Sequence, residues 1–168
     1  RRGDVILKYI TSPKEMINAD LVILPGTKNT LFDLRWLKNN GFNHNNLKKK
    51  NIIGICGGFQ MLGKDLIDKY GVEEGGVETG LKLLNFSTEF AKEKTTRQIQ
   101  TKIINLPDFI DDSDIPPITG YEIHMGSTIN ASEQYFTQSD ITDNSGFVKN
   151  NILGTYIHGI FESDCFVN

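Results

Sequence analysis

The chain has 168 residues, of which 38% are hydrophobic and 23% charged, and its formal net charge is −3. These values are typical of one globular domain, which we expect to span residues 1–168, and they exclude low-complexity sequence. The weak charge gives no electrostatic reason to expect a nucleic acid partner, and Lys48, Lys49 and Lys50 are interpreted as a solvated patch. No apolar stretch approaches the roughly 18 residues of a transmembrane helix, so no membrane association is expected. The two cysteines make no disulfide framework, and a reducing cytoplasm is the expected compartment.

Three strands are predicted in the first third of the chain. Residues 5–10 are rich in β-branched residues, residues 21–24 are entirely apolar, and residues 52–55 form a short apolar run. The apolar character of residues 21–24 predicts burial on both faces of that strand.

Helices are predicted between and after these strands. Ser12 and Glu15 can form a capping box for a short helix with Pro13 in its first turn. A second helix is expected to begin at Asn29 or Thr30, to end at residues 39–41, and to bury four side chains, those of Leu31, Leu34, Trp36 and Leu37. A third helix is expected over residues 58–70, closed by Gly71.

The second half of the chain predicts strands instead. Residues 95–104, 118–129, 146–149 and 152–156 have strand character, and residues 111–117 form an acidic loop containing proline. The expected fold class is therefore α/β, with a mostly parallel sheet, flanking helices and a β-rich extension of the same domain. Ligands of such sheets bind beyond the carboxyl ends of the strands, where Gly26 and Cys56 can face each other.

Cys56 is the first candidate for chemistry. It lies between the strand at 52–55 and the following helix, with Gly54, Gly57 and Gly58 around it. A tight strand-to-helix turn exposes its central side chain, and the helix N-terminus is expected to favour the thiolate form. A buried cysteine is more often an inert small hydrophobe, but the glycine-rich turn favours a nucleophile.

A cysteine nucleophile needs a base, and the chain has three histidines. His158 is favoured as the base because it lies at the carboxyl end of a predicted apolar strand, directly before a glycine. His124 is the second choice, and His44 lies in a polar loop. The two cysteines, His124 and His158 show no recognised metal-ligand spacing, so no metal is expected. The glycines around Cys56 match neither the Walker A pattern nor G-x-G-x-x-G, so a phosphate-binding loop is not favoured. Cys165 is interpreted as having no part in the chemistry.

The motif around Cys56 resembles a known family. GICGGFQ at residues 54–60 is similar to the nucleophile turn of class I glutamine amidotransferases. Together with LVILPGTKNT at 21–30, GYEIHMG at 120–126 and GTYIHGIF at 154–161, it resembles the amidotransferase domains of the cobyric acid synthase family. The four motifs in their expected order are far more specific than any one of them.

The resemblance implies a reaction and a set of site residues. Cys56 would attack the side-chain amide carbon of glutamine, and His158 would act as acid and then as base. Backbone N–H groups of Gly57 and Gly26 would hold the oxyanion, with Gln60 and His124 also assigned to oxyanion or substrate binding. Ammonia would pass to an ATP-dependent synthase domain, expected on the same longer chain, which amidates a corrinoid in cobalamin biosynthesis. The domain itself would need no cofactor, whereas ATP and magnesium are expected in the synthase domain.

One departure from the common family pattern narrows the mechanism. Many class I amidotransferases have a glutamate two residues after the histidine, where this chain has Ile160. The cobyric acid synthase branch, which this chain resembles, also lacks this glutamate. The resemblance therefore implies a catalytic Cys–His dyad instead of a triad. Glu162 is interpreted as a surface residue, and the roles of Glu122 and His124 stay open between substrate contact, pocket structure and a domain interface.

Several alternatives also remain open. The resemblance implies that a further N-terminal strand and a C-terminal helix are missing, so a fragment of a longer protein is expected. The acceptor could instead be cobyrinic acid during a,c-diamide formation, or a peptidoglycan precursor. A Cys–His hydrolase of another amide and a catalytically silent docking module of a larger synthase are the competing hypotheses.

Overall fold

A computed structural model of the chain describes residues 4–110, 116–138 and 145–162. Its strands are β1 (Leu21–Leu24), β2 (Asn51–Ile55), β3 (Asp65–Asp68), β4 (Gly76–Thr79), β5 (Ser87–Ile103), β6 (Ile118–Ile129), β7 (Gln134–Tyr135), β8 (Thr137–Gln138), β9 (Gly146–Lys149), β10 (Ile152–Thr155) and β11 (Ile157–His158). Its helices are α1 (Thr30–Asn39), α2 (His44–Leu47) and α3 (Gly57–Leu62), with 3₁₀ turns at Pro13–Met16 and Ile160–Glu162.

The first sheet has the strand order β1-β2-β10-β9-β7. β1, β2 and β10 are mutually parallel, and Gly54 of β2 lies between Leu24 of β1 and Gly154 of β10. β9 is antiparallel to both β10 and β7. The carboxyl ends of β1, β2 and β10 therefore meet at one edge, as the predicted α/β class requires.

The second sheet has the order β11-β6-β5-β3-β4, and β8 pairs with the far end of β5. β5 and β6 form a long antiparallel pair with an irregularity between Glu89 and Lys94. β10 of the first sheet ends at Thr155 and β11 of the second begins at Ile157, so the chain crosses between the sheets at Tyr156. His158 lies directly after this crossing.

Helix α3 packs against the parallel strands through very close approaches. A Cβ on Gly58 would lie 2.0 Å from the Leu24 carbonyl oxygen, and a Cβ on Gly154 would lie 2.2 Å from the Phe59 ring. Phe59 is completely buried, with ring centroids 4.7 Å from Phe86 and 4.8 Å from Tyr156. These glycines are needed because any side chain would separate α3 from the sheet.

Most of the predicted elements are confirmed. The strands at 21–24, 52–55, 118–129, 146–149 and 152–156 agree with the structure within a residue, and the strand predicted at 95–104 is the second part of β5. The capping box at Ser12 and Glu15 is present, although its helix is a 3₁₀ turn. Asn29 caps α1 by accepting the N–H of Phe32. The predicted acidic loop at 111–117 falls largely outside the described residues.

Four predictions were wrong. Residues 5–10 form no strand, and Ile6 is 94% exposed. The third helix ends at Leu62 rather than residue 70, because Leu66 lies in β3 between β4 and β5. Ile23 of β1 is 38% exposed, whereas Val22 and Leu24 are buried, so β1 is fully buried on one face only. Trp36 is also 38% exposed and stacks on Phe42 at the end of α1.

Candidate active site

Cys56 lies at the turn that the sequence predicted, directly after β2 and at the N-cap of α3. Its φ is 52° and its ψ is −110°, a left-handed conformation that residues other than glycine rarely adopt. Its N–H donates to the Thr155 carbonyl of β10 at 2.8 Å, and its own carbonyl accepts the N–H of Gln60. Such strain costs about 1–3 kcal/mol and persists only where the surrounding structure enforces it, as functional sites commonly do.

The environment of the Cys56 thiol differs from the expectation. The side chain is half-buried, and Sγ donates to the Ile123 carbonyl of β6 at 3.2 Å. Burial raises the pKa of the thiol above its usual value, and the Gly57 N–H and the Lys94 charge lower it by less. The start of α3 therefore does not by itself produce a thiolate, because desolvation outweighs it.

Gly26 lies between Cys56 and His158. A Cβ built on Gly26 would lie 3.6 Å from the Cys56 Cβ and 3.4 Å from the His158 Cε1. The structure thus brings together the ends of β1, β2 and β11, and the predicted proximity of Gly26 and Cys56 is confirmed. A small group placed beside Gly26 would therefore lie close to both Cys56 and His158.

Gly57 is held against the loop that contains Gly26. A Cβ on Gly57 would lie 2.5 Å from the Thr27 Cγ2 and 3.3 Å from the Thr30 Oγ1. The start of α3 and the turn after β1 therefore pack closely against each other. This arrangement can present two backbone donors to one oxyanion.

His158 reaches the site from β11, where it is paired with Tyr121 of β6. Its Nε2 is buried and has no hydrogen-bond partner within the described residues. Ile160 is buried, and the exposed Glu162 folds its carboxylate against Gly159, with Oε2 3.6 Å from a Cβ built there. A ring nitrogen without a partner in the described chain is suited to exchanging a proton with a bound substrate.

His124 and Glu122 lie on β6 beside the site. His124 Nδ1 is 3.0 Å from the Gly126 carbonyl, and its ring stacks on Tyr156 with centroids 3.8 Å apart. Burial lowers the pKa of His124, which therefore stays neutral at neutral pH. Glu122 is 1% exposed, pairs with Arg97 of β5, and leaves its Oε1 without a partner in the described chain.

Gln60 is buried one turn into α3. Its Nε2 donates to the Met125 carbonyl at 3.1 Å, and its Oε1 accepts the Thr30 hydroxyl at 3.4 Å. The side chain thus ties α3 to both β6 and α1. His44, the histidine judged least suitable, is exposed at the first residue of α2.

Lys94, Arg97 and Tyr156 were not singled out from the sequence. Arg97 faces Glu122 in the β5–β6 register, and Tyr156 is buried with its hydroxyl 3.1 Å from that of Thr128. Because side chains alternate along a strand, the sequence could have placed Arg97 on the same face as Thr95, two residues earlier. The pairing of β5 with β6 could not be predicted from one sequence. Residues 4–110, 116–138 and 145–162 contain neither a helix able to span a membrane nor a cluster of acidic, histidine or cysteine side chains arranged for a metal ion.

Known proteins similar to this chain include cobyric acid synthases and a glutamine amidotransferase of known structure. Cobyric acid synthase of Klebsiella pneumoniae strain 342 is 41% identical over 175 residues, and that of Citrobacter koseri is 42% identical over 175 residues. Each match covers 97% of this chain and 34% of the relative, so the chain spans about a third of the relatives' length. The fold also matches a crystal structure of a glutamine amidotransferase, with a TM-score of 0.70 at 13% sequence identity. This match covers 95% of this chain and 81% of the chain in the crystal structure.

These similarities confirm the glutamine amidotransferase-like α/β fold and the resemblance seen in the four motifs. The sequence model of the CobB/CobQ-like glutamine amidotransferase domain matches residues 1–166. The chain therefore belongs to the family of CobB/CobQ-like glutamine amidotransferase domains.

Proposed function

We propose that the chain hydrolyses glutamine with Cys56 as nucleophile and His158 as proton carrier. The observation that carries the proposal is the position of Gly26, whose Cβ position is 3.6 Å from the Cys56 Cβ and 3.4 Å from the His158 ring. A thiol, an imidazole and two glycine backbones around one small space are the parts that acyl transfer needs.

The first half of the reaction forms a thioester. His158 accepts the thiol proton, and the Cys56 sulfur attacks the side-chain carbonyl carbon of glutamine. The carbonyl electrons move to the oxygen, which the N–H groups of Gly57 and Gly26 stabilise. As the carbon–nitrogen bond breaks, His158 returns the proton to the leaving nitrogen, and ammonia departs.

The second half restores the enzyme. His158 takes a proton from water, the hydroxide attacks the thioester carbon, and glutamate leaves as the sulfur regains a proton. Because burial raises the pKa of Cys56, proton removal by His158 is needed for a useful thiolate fraction near neutral pH. His158 does this without a glutamate at position 160, as one half of a dyad.

The remaining site residues have supporting roles in this proposal. Gln60 is tied to Thr30 and Met125, so it fixes the pocket wall and does not offer its amide freely to substrate. His124, neutral and stacked on Tyr156, lines the side of the pocket formed by β6. Lys94 lies close enough to influence the Cys56 thiol, and its charge suits the α-carboxylate of glutamine.

We further propose that the ammonia serves an ATP-dependent amidation of a corrinoid in cobalamin biosynthesis. The support is the 41–42% identity to cobyric acid synthases, of which this chain matches about a third. The partner is a synthase domain that uses ATP and magnesium and receives the ammonia directly.

Glutamate release from glutamine tests the glutaminase proposal. We expect Cys56→Ala to abolish turnover and His158→Ala to lower it by about 10²-fold or more. Cys165→Ala is the matched control and should retain wild-type turnover. Turnover that survives Cys56→Ala, or that depends equally on Cys165, would refute the assignment of the nucleophile.

A further inference from the structure

We propose that Glu73 is a positioning residue that holds the turn at residues 25–29 against the nucleophile. This inference rests on the proposed glutaminase function, because the turn supplies Gly26 to the oxyanion. Glu73 belongs to the β3–β4 hairpin and is distant in sequence from each motif that surrounds the reacting groups.

The carboxylate of Glu73 caps helix α1 from outside the helix. Its Oε1 accepts the N–H of Thr30 at 2.9 Å, and its Oε2 accepts the N–H of Leu31 at 2.8 Å. These N–H groups at the start of the helix have no partner within it, and a negative charge there is favourable. Asn29 caps the next free donor, so Asn29 and Glu73 together satisfy the N–H groups of residues 30–32.

The capped end of α1 directly supports the turn and the start of α3. Thr27 donates its hydroxyl to Asp33 of α1, and Thr27 Oγ1 accepts the N–H of Asn29 at 3.2 Å. Thr27 and Thr30 both press against Gly57. A shift of the helix start would therefore move the turn that carries Gly26, one of the two proposed oxyanion donors, relative to Cys56.

Glu73 is itself held rigidly in place by Asp68. The Asp68 carboxylate is 1% exposed and accepts four backbone N–H groups, those of Val72, Glu73, Glu74 and Gly75, at 2.8–3.1 Å. The loop that carries Glu73 is thus wrapped around one buried anion. A chain of hydrogen bonds runs from Asp68 through Glu73 to the helix that supports Gly26.

Ion pairs also join the β3–β4 hairpin to the outer side of α1. Arg35 pairs with Glu74 and Glu78, and Lys38 pairs with Glu78 at 2.8 Å. These ion pairs are partly exposed, so they contribute little stability individually. Glu73 differs from them because it binds the helix end nearest the reaction, whereas Glu74 binds only the side.

The test compares Glu73→Gln with Glu74→Gln, a neighbouring change that removes the same charge. Three measurements are made on both variants and on the wild type. They are the rate at which a diazo-ketone glutamine analogue labels Cys56, the rate at which iodoacetamide labels it, and amide hydrogen exchange over residues 25–31. Iodoacetamide reports the thiol alone, whereas the analogue also needs its carbonyl to be bound correctly.

We expect Glu73→Gln to slow labelling by the analogue about 10-fold or more, with iodoacetamide labelling within about twofold of wild type. Exchange at Thr30 and Leu31 should accelerate, and Glu74→Gln should match the wild type in all three measurements. Equal slowing with both reagents would mean general destabilisation and would overturn the proposal, as would identical behaviour of the two variants.

The same data separate this inference from the proposed function. If the wild type reacts with iodoacetamide but not with the analogue, the glutaminase proposal fails. Hydrogen exchange then still decides whether Glu73 holds the turn, and unchanged protection of Thr30 and Leu31 would overturn it.

Discussion

Replacing Gly26 by alanine should remove activity without unfolding the protein. The added methyl carbon would lie 3.4 Å from the His158 Cε1, 3.6 Å from the Cys56 Cβ and 3.8 Å from the Ile55 carbonyl oxygen. These are ordinary van der Waals distances, and Gly26 is not in the left-handed region that only glycine tolerates well. We therefore expect the free energy of unfolding to change by less than about 1 kcal/mol.

The effect on catalysis should be much larger than the effect on stability. The methyl group would fill the space between Cys56 and His158 that the glutamine carbonyl enters in the proposed reaction, next to a proposed oxyanion donor. Loss of one such donor typically costs about 10²–10³-fold in turnover, and we expect Gly26→Ala to fall in that range because its methyl group displaces the oxyanion from the N–H that alanine retains. Glutamate release and urea unfolding of the same preparation measure the two effects.

Gly58→Ala is the contrasting variant in this experiment. Its Cβ would lie 2.0 Å from the Leu24 carbonyl oxygen, so α3 would have to move off β1. We expect a loss of about 1–3 kcal/mol of stability or more. If Gly26→Ala keeps more than about a third of wild-type turnover, or if it unfolds as readily as Gly58→Ala, the reasoning about the space beside Gly26 is wrong.

Two further predictions follow from the titrating groups. Burial raises the pKa of Asp68, but hydrogen bonds from four backbone N–H groups outweigh burial, so the folded-state pKa lies below the ordinary value. The ionised Asp68 carboxylate therefore stabilises the folded protein above about pH 4, and this stabilisation is lost as pH falls through the folded-state pKa. Asp68→Asn should cost about 2–3 kcal/mol at pH 7 in urea unfolding, with a smaller difference from wild type in acid, and a pH-independent difference would contradict this. Burial also raises the pKa of Cys56, so in His158→Ala iodoacetamide labelling should increase only above the ordinary thiol value of about 8.5. At pH 7 the wild type should label about 10-fold faster than His158→Ala and the two rates should converge at high pH, whereas equal rates at pH 7 would exclude proton removal by His158.

The elements that position Cys56 could be predicted because their signals are local. An apolar run, a cysteine between glycines and an amphipathic start of a helix are all contained in residues 51–63, and β2, Cys56 and α3 lie there as expected. The convergence of Gly26 with Cys56 also followed from a general rule, since parallel strands end at the same edge of a sheet.

The errors arose where partners distant in sequence decide the structure. Leu66 and Ile67 fit the apolar face of a helix equally well, but pairing with β4 and β5 makes them a strand. Gly63 was the sequence signal for an earlier end of the helix, because glycine often marks the end of a helix. In the structure α3 ends directly before Gly63, whose backbone lies against Phe86. Residues 5–10 have strand composition, yet they pair with no strand among the described residues, so propensity alone did not decide their structure.

Parts of the candidate site were also beyond sequence reasoning. The pairing of Arg97 with Glu122 depends on the register of β5 and β6, and the bidentate bonds of Glu73 to α1 depend on how a hairpin packs on a helix. The raised pKa of Cys56 was missed because the motif shows the helix start but not the burial that outweighs it.

The most direct test of the central claim is the site of covalent capture by a diazo-ketone analogue of glutamine. The labelled protein is digested, and the modified residue is located by mass spectrometry with and without excess glutamine. The proposed function predicts one label on Cys56, none on Cys165, and protection by glutamine. Labelling of both cysteines at similar rates, or labelling of Cys56 that glutamine does not slow, would contradict the claim that Cys56 forms a glutamyl thioester.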